Sequence, residues 1–295
     1  MRIFVTGASG FVGSAIVNEL IKNGHQVLGL ARSESSAEKI NKAGAEVYQG
    51  DINDQASMGE AASTCDAVIH TAFNHDFSRF KDNCEDDRKV IEGFGDALAG
   101  TSKPLIITSG VGLLSYGRIA NEDDTPAPSN VIPRAASEEA AHAAKAKGAN
   151  AYIVRLPPTT HGQGDHGFVP MIIDMAKKKG ESAYVGEGNN LWPAVHRFDA
   201  AAMYRLIAEQ QPAQRVFHAV AEEGVPFKVI AEAIGKGLNI PVTSKTGKDA
   251  EAHFGWFVHF ASLGVPASAA QSSTTLGWQP KHQTLLEDLV PGIYF

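Results

Sequence analysis

Short apolar runs alternate with longer amphipathic stretches through the first half of the chain. "RIFVTG" at residues 2–7 leads into a helical pattern from about Phe11, and "QVLGLAR" at 26–32 leads into another from Glu34. "AEVYQGD", "DAVIHTA" and "PLIITSG" follow in turn, and an Ala-rich helix over 134–147 precedes "AYIVRLP" at 151–157, the sixth strand-like run. Parallel strands need a crossover of a dozen or so residues, usually a helix, so this alternation predicts an α/β fold with a doubly wound parallel sheet. Beyond Pro157 the regularity lapses into loops such as "HGQGDHGF" and "VGEGNNLWPAVHRFD" mixed with helices. With no repeat and no flexible linker in view, we expect a nucleotide-binding domain over 1–157 and a smaller C-terminal lobe over 158–295 that packs directly on it, with room for a strand or helix to return to the first.

The turn "VTGASGFVG" carries the strongest chemistry. Gly7, Gly10 and Gly13 stand between a strand and a helix, where absent side chains let the backbone turn tightly, approach a pyrophosphate and pack the helix on the sheet. Ser9, Phe11 and Val12 share that turn, and the helix start offers free N–H groups and partial positive charge to an anion. Dinucleotide binding in a Rossmann arrangement is the expectation. The second strand ends in Ala31, Arg32 and Ser33, where an NAD-preferring site would usually place a carboxylate. A guanidinium there can grip a 2′-phosphate with charge-assisted hydrogen bonds, so NADP(H) is the expected cofactor. Asp51 and Ile52 after the third strand, Thr71 and Ala72 after the fourth, Thr108 at the fifth, and Leu156 and Pro157 at the sixth complete the expected cofactor contacts. Asp51 has two readings, a hydrogen bond to the adenine amine or the cap of the following helix.

Composition narrows the class without changing it. The chain has 295 residues, 43% of them apolar, with a formal charge of −7 and a pI near 5.9. That overall field repels nucleic acid and anionic membrane surfaces. Two cysteines, Cys65 and Cys84, form no stapling framework, and no apolar run reaches membrane-spanning length. A cytoplasmic protein acting on a small molecule is expected.

Taken in order, "TGASGFVG", "GDIND", "VIHTA", "ITSG", "VRLPPTTHGQG", "AVHRFDAA" and "LGWQP" resemble the extended short-chain dehydrogenase/reductases, including their epimerase and dehydratase-like members. The resemblance spans nearly the whole chain and implies a serine at the end of the fifth strand that holds a substrate carbonyl. Ser109 matches it, or Thr108 if the strand is offset by one. It also implies a Tyr-x-x-x-Lys pair on the next helix, where the tyrosine passes the proton. In "VIPRAASEEAA" those two positions fall on Arg134 and Glu138, so the family's acid is missing. A guanidinium can stabilise an alkoxide but does not release a proton near neutral pH. Glu138, four residues along the same helix face, is expected to pair with Arg134.

Other groups could supply the proton: Tyr116 on the loop after Ser109, His161 or His166 in "THGQGDHG", or an acidic hydroxyl of the substrate itself. His161, Asp165, His166 and His196 do not have metal-ligand spacing on one helix face, and no metal is expected. Trp192, His196 and Trp256, with Gly110, His161 and His166, are expected to line a substrate pocket, whereas Phe254, Phe257 and Ala261 at helical spacing read as core. The small side chains of the Ala-rich helix would let another backbone approach, which suggests a homodimer. Two functions remain open: an NADPH-dependent carbonyl reductase for a ring-containing ketone, or a catalytically silent NADP(H)-binding regulator. A nucleotide-sugar epimerase or dehydratase is a third, weakened by the missing tyrosine.

Overall fold

Seven parallel strands form the central sheet of the computed structural model, which describes all 295 residues. The chain runs β1 (Arg2–Thr6), α1 (Phe11–Lys22), β2 (Gln26–Ala31), α2 (Glu34–Lys42), β3 (Glu46–Gln49), α3 (Gln55–Ser63), β4 (Ala67–His70), α4 (Phe80–Leu98), β5 (Pro104–Gly110), α5 (Ala136–Ala146) and β6 (Asn150–Leu156). There follow β7 (Thr159–His161), α6 (Phe168–Lys179), β8 (Ser182–Val185), β9 (Leu191–His196), α7 (Arg197–Gln210), β10 (Val216–His218), β11 (Glu222–Pro226), α8 (Phe227–Leu238) and β12 (Val242–Lys245). The chain closes with α9 (Gly247–Phe254), α10 (Val258–Ser262), α11 (Ala270–Leu276) and α12 (Leu285–Asp288).

The sheet order is β3-β2-β1-β4-β5-β6-β10. After β1 the chain winds outward to β2 and β3, then returns to lay β4 on the other side, so a crevice opens between the carboxyl ends of β1 and β4. Strands of such a sheet are covered on both faces and must be apolar along their length, as Ile3, Phe4 and Val5 are. One face is covered by α1 and α7, the other by α3, α4 and α5. The second half of the chain therefore contributes to the first domain, with β10 pairing with β6 and α7 lying on α1. The remaining lobe has a three-stranded sheet, β11-β9-β7, a two-stranded sheet, β12-β8, and its own apolar core. No helix is long and apolar enough to cross a membrane.

The Ala-rich segment starts as a short 3-10 turn at Pro133–Ala135 and continues as α5. Its small residues serve a contact within the chain: a Cβ on Gly95 of α4 would come 2.5 Å from that of Ala144. The face that suggested a homodimer is thus covered by α4, and that argument for one falls.

Candidate functional site

The crevice is built first from missing side chains. Gly7 has φ +68°, and a Cβ on Gly13 would lie 2.0 Å from the Gly7 carbonyl oxygen, so both positions require glycine. This lets α1 start hard against the end of β1. Gly10 is its N-cap, no side chain caps the helix, and no acidic residue occupies its first turn. The first N–H groups, beside Ser9, Phe11 and Val12, are left for an external anion. Thr71 walls the turn, donating to the Thr6 carbonyl at 2.8 Å, and Ala72 N reaches Thr6 Oγ1 at 3.3 Å. Arg32 is exposed at the end of β2. Ser33 caps α2, its Oγ accepting from Ser36 N at 3.3 Å. Asp51 does not cap α3, as one of its two readings had it. Its Oδ1 accepts from Asn53 N at 2.9 Å, and Asp54 takes the cap. Beside it, Ile52 packs at the edge of the core formed with α3 and α4. A glycine cradle with an uncapped helix and a free guanidinium beyond it fits NAD(P)H.

Deeper in the crevice a hydrogen-bonded chain joins the glycine turn to α5. Thr6 Oγ1 lies 2.7 Å from His70 Nδ1, and His70 Nε2 lies 2.9 Å from Asp87 Oδ1. A carboxylate only accepts, so Nε2–H donates to Asp87, while Nδ1 lies against the Thr6 hydroxyl. Asp87 Oδ2 accepts from Arg134 Nη1 at 3.0 Å and from Ser137 Oγ. Burial raises the Asp87 carboxyl, but the Arg134 guanidinium and the bonds from His70 and Ser137 outweigh it and bring the pKa down to about 2. Arg134 Nη2 donates to the Thr108 carbonyl at 3.0 Å, and the guanidinium carbon lies 4.2 Å from the centroid of the Phe73 ring.

Arg134 therefore pairs with Asp87, not with Glu138 as its helix spacing suggested. Four residues on is less than one and a quarter turns, yet Glu138 turns inward to β6. Its Oε1 accepts from Arg155 Nε at 2.8 Å and from Ser109 Oγ at 2.6 Å, while Oε2 accepts from Arg155 Nη2 at 2.7 Å. All three residues are buried. Arg155 also donates to the Asp124 carbonyl and to His218 Nε2, and His218 Nδ1 completes the chain at the Ser268 carbonyl, 2.8 Å away. Ser109 thus gives its proton to Glu138 and keeps only lone pairs for a ligand. Thr108 is committed as well, its Oγ1 lying 2.9 Å from the His70 carbonyl and 2.7 Å from Tyr204 Oη.

The remaining expected residues fall in several places. Gly110 ends β5 close to the Leu156 carbonyl, next to Pro157. Tyr116 is exposed and donates to the Thr125 carbonyl, which leaves its phenol on the surface loop. Trp192 is 1% exposed, its indole N–H bonded to the Leu263 carbonyl and its ring packed on Phe227, so it is core and not pocket wall. Phe254, Phe257 and Ala261 are core too. Trp256 is 55% exposed, and its ring meets Phe77 at 5.1 Å, an aromatic contact between the second lobe and the loop after β4. His161 is buried against Asp288 at 2.6 Å, whereas His196 caps α7 with Nδ1 facing Phe198 N and also lines a cleft with Arg197, Phe198, His282 and Asp288. Burial, only partly offset by Asp288, lowers His196 to about 4. His166 remains exposed, its ring 5.9 Å from that of Phe11.

Several contributors escaped the sequence reading. Asp87 lies on the buried stripe of α4 with Asn83, Val90, Ile91 and Phe94, and a carboxylate on such a stripe needs a partner. Arg155 gave the same signal from the middle of an apolar strand. Phe73 and His75 lie on a loop with no periodicity to read. His75 is exposed by surface area yet crowded at the crevice mouth, and burial, then Arg134 and His166, lower its pKa.

Comparison with known proteins agrees with this geometry. A family model described as NAD(P)H-binding matches residues 7–184. An uncharacterized protein of Schizosaccharomyces pombe is 48% identical over 295 residues, covering 100% of each chain. A 4-hydroxy-2-methyl-3-oxo-4-farnesyl-3,4-dihydroquinoline-1-oxide ketoreductase of Stigmatella aurantiaca is 26% identical over 78% of this chain and 70% of its own. The crystal structure of UDP-glucose 4-epimerase from Thermotoga maritima, 21% identical, superposes with a TM-score of 0.75 over 100% of this chain and 98% of that one, and so shares the fold.

Proposed function

We propose that this chain, which belongs to the NAD(P)H-binding family, is an NADPH-dependent carbonyl reductase that lacks the usual tyrosine acid and draws its proton from the substrate. When bound, the cofactor supplies a hydride. Gly7, Gly10, Gly13 and the start of α1 would hold its diphosphate, Arg32 its 2′-phosphate, and Thr71, Ala72, Leu156 and Pro157 the walls around its reactive end. The observation that carries the reading is the Arg134 guanidinium, fixed at the crevice by Asp87 and Thr108 and backed by Phe73. Two of its five N–H groups hold those oxygens. A third is held by Ser137 Oγ, which leaves the Nε proton and one Nη2 proton to stabilise an alkoxide forming above the crevice, where fixed donors contribute most to catalysis.

The same geometry argues against an internal acid. Arg134 keeps its proton at neutral pH, Ser109 is committed to Glu138, and Tyr116 to Thr125. Crowding beside Arg134 favours neutral His75. A hydroxyl next to the substrate's carbonyl would meet this lack by passing its proton to the alkoxide as the hydride arrives, water then returning a proton to the oxygen that gave it. The exposed Trp256 and the rings of Phe73 and Phe77 favour a ring-containing ketone. The ketoreductase relative, whose named substrate pairs an oxo group with a hydroxyl, supports the same class.

The test is NADPH oxidation by the purified protein against pairs of aryl ketones with and without a neighbouring hydroxyl. Turnover confined to the hydroxylated member is expected. Equal turnover of both members would refute substrate assistance. Tight NADPH binding with no turnover of any carbonyl would favour a silent cofactor-binding regulator, a reading that the commitment of Ser109 to Glu138 already favours.

A further inference from the structure

Arg197 is the first residue of α7, the helix that lies on α1, and its side chain reaches the start of α1 beside the glycine turn. Its guanidinium carbon lies 5.0 Å from the centroid of the Phe11 ring and 4.8 Å from that of Phe198. Phe11 is the first residue of α1, the helix whose N-terminus has no cap. Arg197 Nε is buried without a hydrogen-bond partner. The nearby carboxylate is engaged elsewhere: Asp165 Oδ2 accepts from Tyr294 Oη and Oδ1 from Gly167 N, each at 2.7 Å, and burial raises its pKa, which weakens its claim to be a counter-ion. Burial likewise pushes the Arg197 guanidinium below its usual value, as an unpaired cation partly removed from water should be.

A partly desolvated charge without a partner is costly, and folds keep one where a ligand completes it. Free amides with no acidic neighbour below, and a guanidinium sandwiched between two rings above, define a doubly anionic, fork-accepting group between them. We propose that Arg197 clamps the diphosphate of the bound dinucleotide from the start of α7, facing the glycine turn. His166, on the loop before α6, also meets Phe11, its ring 5.9 Å away. The inference rests on the reading of the crevice as an NAD(P)H site and adds to it a residue from outside the glycine turn.

The diphosphate is common to NADPH and NADH, so loss of the guanidinium must weaken both alike. Dissociation constants for each cofactor are to be measured by fluorescence titration of the parent protein, Arg197→Gln, Arg197→Lys and Arg197→Met. The Gln and Met variants are expected to bind both cofactors about tenfold more weakly, equivalent to about 1.4 kcal/mol. Lys is expected to recover part of that loss. In the absence of cofactor, Arg197→Met should unfold at the parent's temperature or higher, because it keeps the stem between the rings and removes an unpaired charge. If the parent binds NADPH and the Gln and Met variants bind both cofactors within twofold of it, the clamp is overturned while the cofactor site stands. A loss confined to NADPH would also overturn it, by assigning Arg197 to the 2′-phosphate. A parent that binds neither cofactor would overturn the cofactor site itself.

Discussion

Replacing Arg134 with Ala tests whether this residue is a surface ion pair or the keystone of a buried network. Arg134 is 16% exposed and Asp87 only 5%. An exposed pair contributes about 0–1 kcal/mol, whereas removing one partner of a buried pair costs about 3–5 kcal/mol because the other charge is stranded. Asp87 keeps its bonds from His70 and Ser137. We therefore expect a cost at or just below the foot of that range, about 2–3 kcal/mol for Arg134→Ala. In a chain of this size that lowers Tm by about 5–10 °C. Asp87→Asn and the double variant complete a cycle whose coupling should be about 1–3 kcal/mol, read by urea unfolding followed by circular dichroism. The pH dependence has a fixed sign. Asp87 is held at about 2, below its ordinary 3.8, so its contribution is full above 3.8 and is lost as pH falls through 2. Without Arg134 the carboxyl titrates higher, so the deficit of Arg134→Ala should shrink as the medium is acidified below pH 4. A deficit below about 1 kcal/mol with no coupling to Asp87 would refute the network and return Arg134 to the solvent.

Arg32→Ala is expected to weaken NADPH binding by about 10- to 100-fold, the value of a lost charge-assisted contact, and to leave NADH unchanged. Equal losses would remove the 2′-phosphate role, and titration with both cofactors decides. Glu138→Lys sets a second cation against buried Arg155 and should abolish folding, checked by soluble yield and circular dichroism. A folded, active Glu138→Lys protein would contradict the buried pairing. His196 titrates near 4 in the fold against 6.5 unfolded, so its neutral burial stabilises fully above 6.5 and less as pH drops toward 4. Between pH 7 and 5 this amounts to about 2 kcal/mol, which His196→Asn should remove because it keeps an N-cap acceptor without the titration. Parallel pH profiles for the parent and that variant would show that the buried imidazole carries no such linkage.

The sequence by itself determined the architecture and the cofactor cradle, because both rest on local signals. The starts of α1 at Phe11 and α2 at Glu34 follow from period and capping, and the parallel sheet follows from strands too far apart for hairpins. Gly7 and Gly13 were legible because backbone geometry forbids a Cβ there. The deeper part of the crevice was not legible in the same way. Position-by-position resemblance located Arg134 and Glu138, but spacing along a helix cannot say which carboxylate a guanidinium meets once two other elements pack against it. Only the tertiary structure brought Asp87 from α4 to Arg134 and Arg155 from β6 to Glu138, since a buried charge takes the partner that desolvation leaves nearest. The same holds for Trp192, which any apolar environment could have claimed and which the core of the second lobe took, and for Arg197, whose unpaired charge meets Phe11 only because α7 packs on α1.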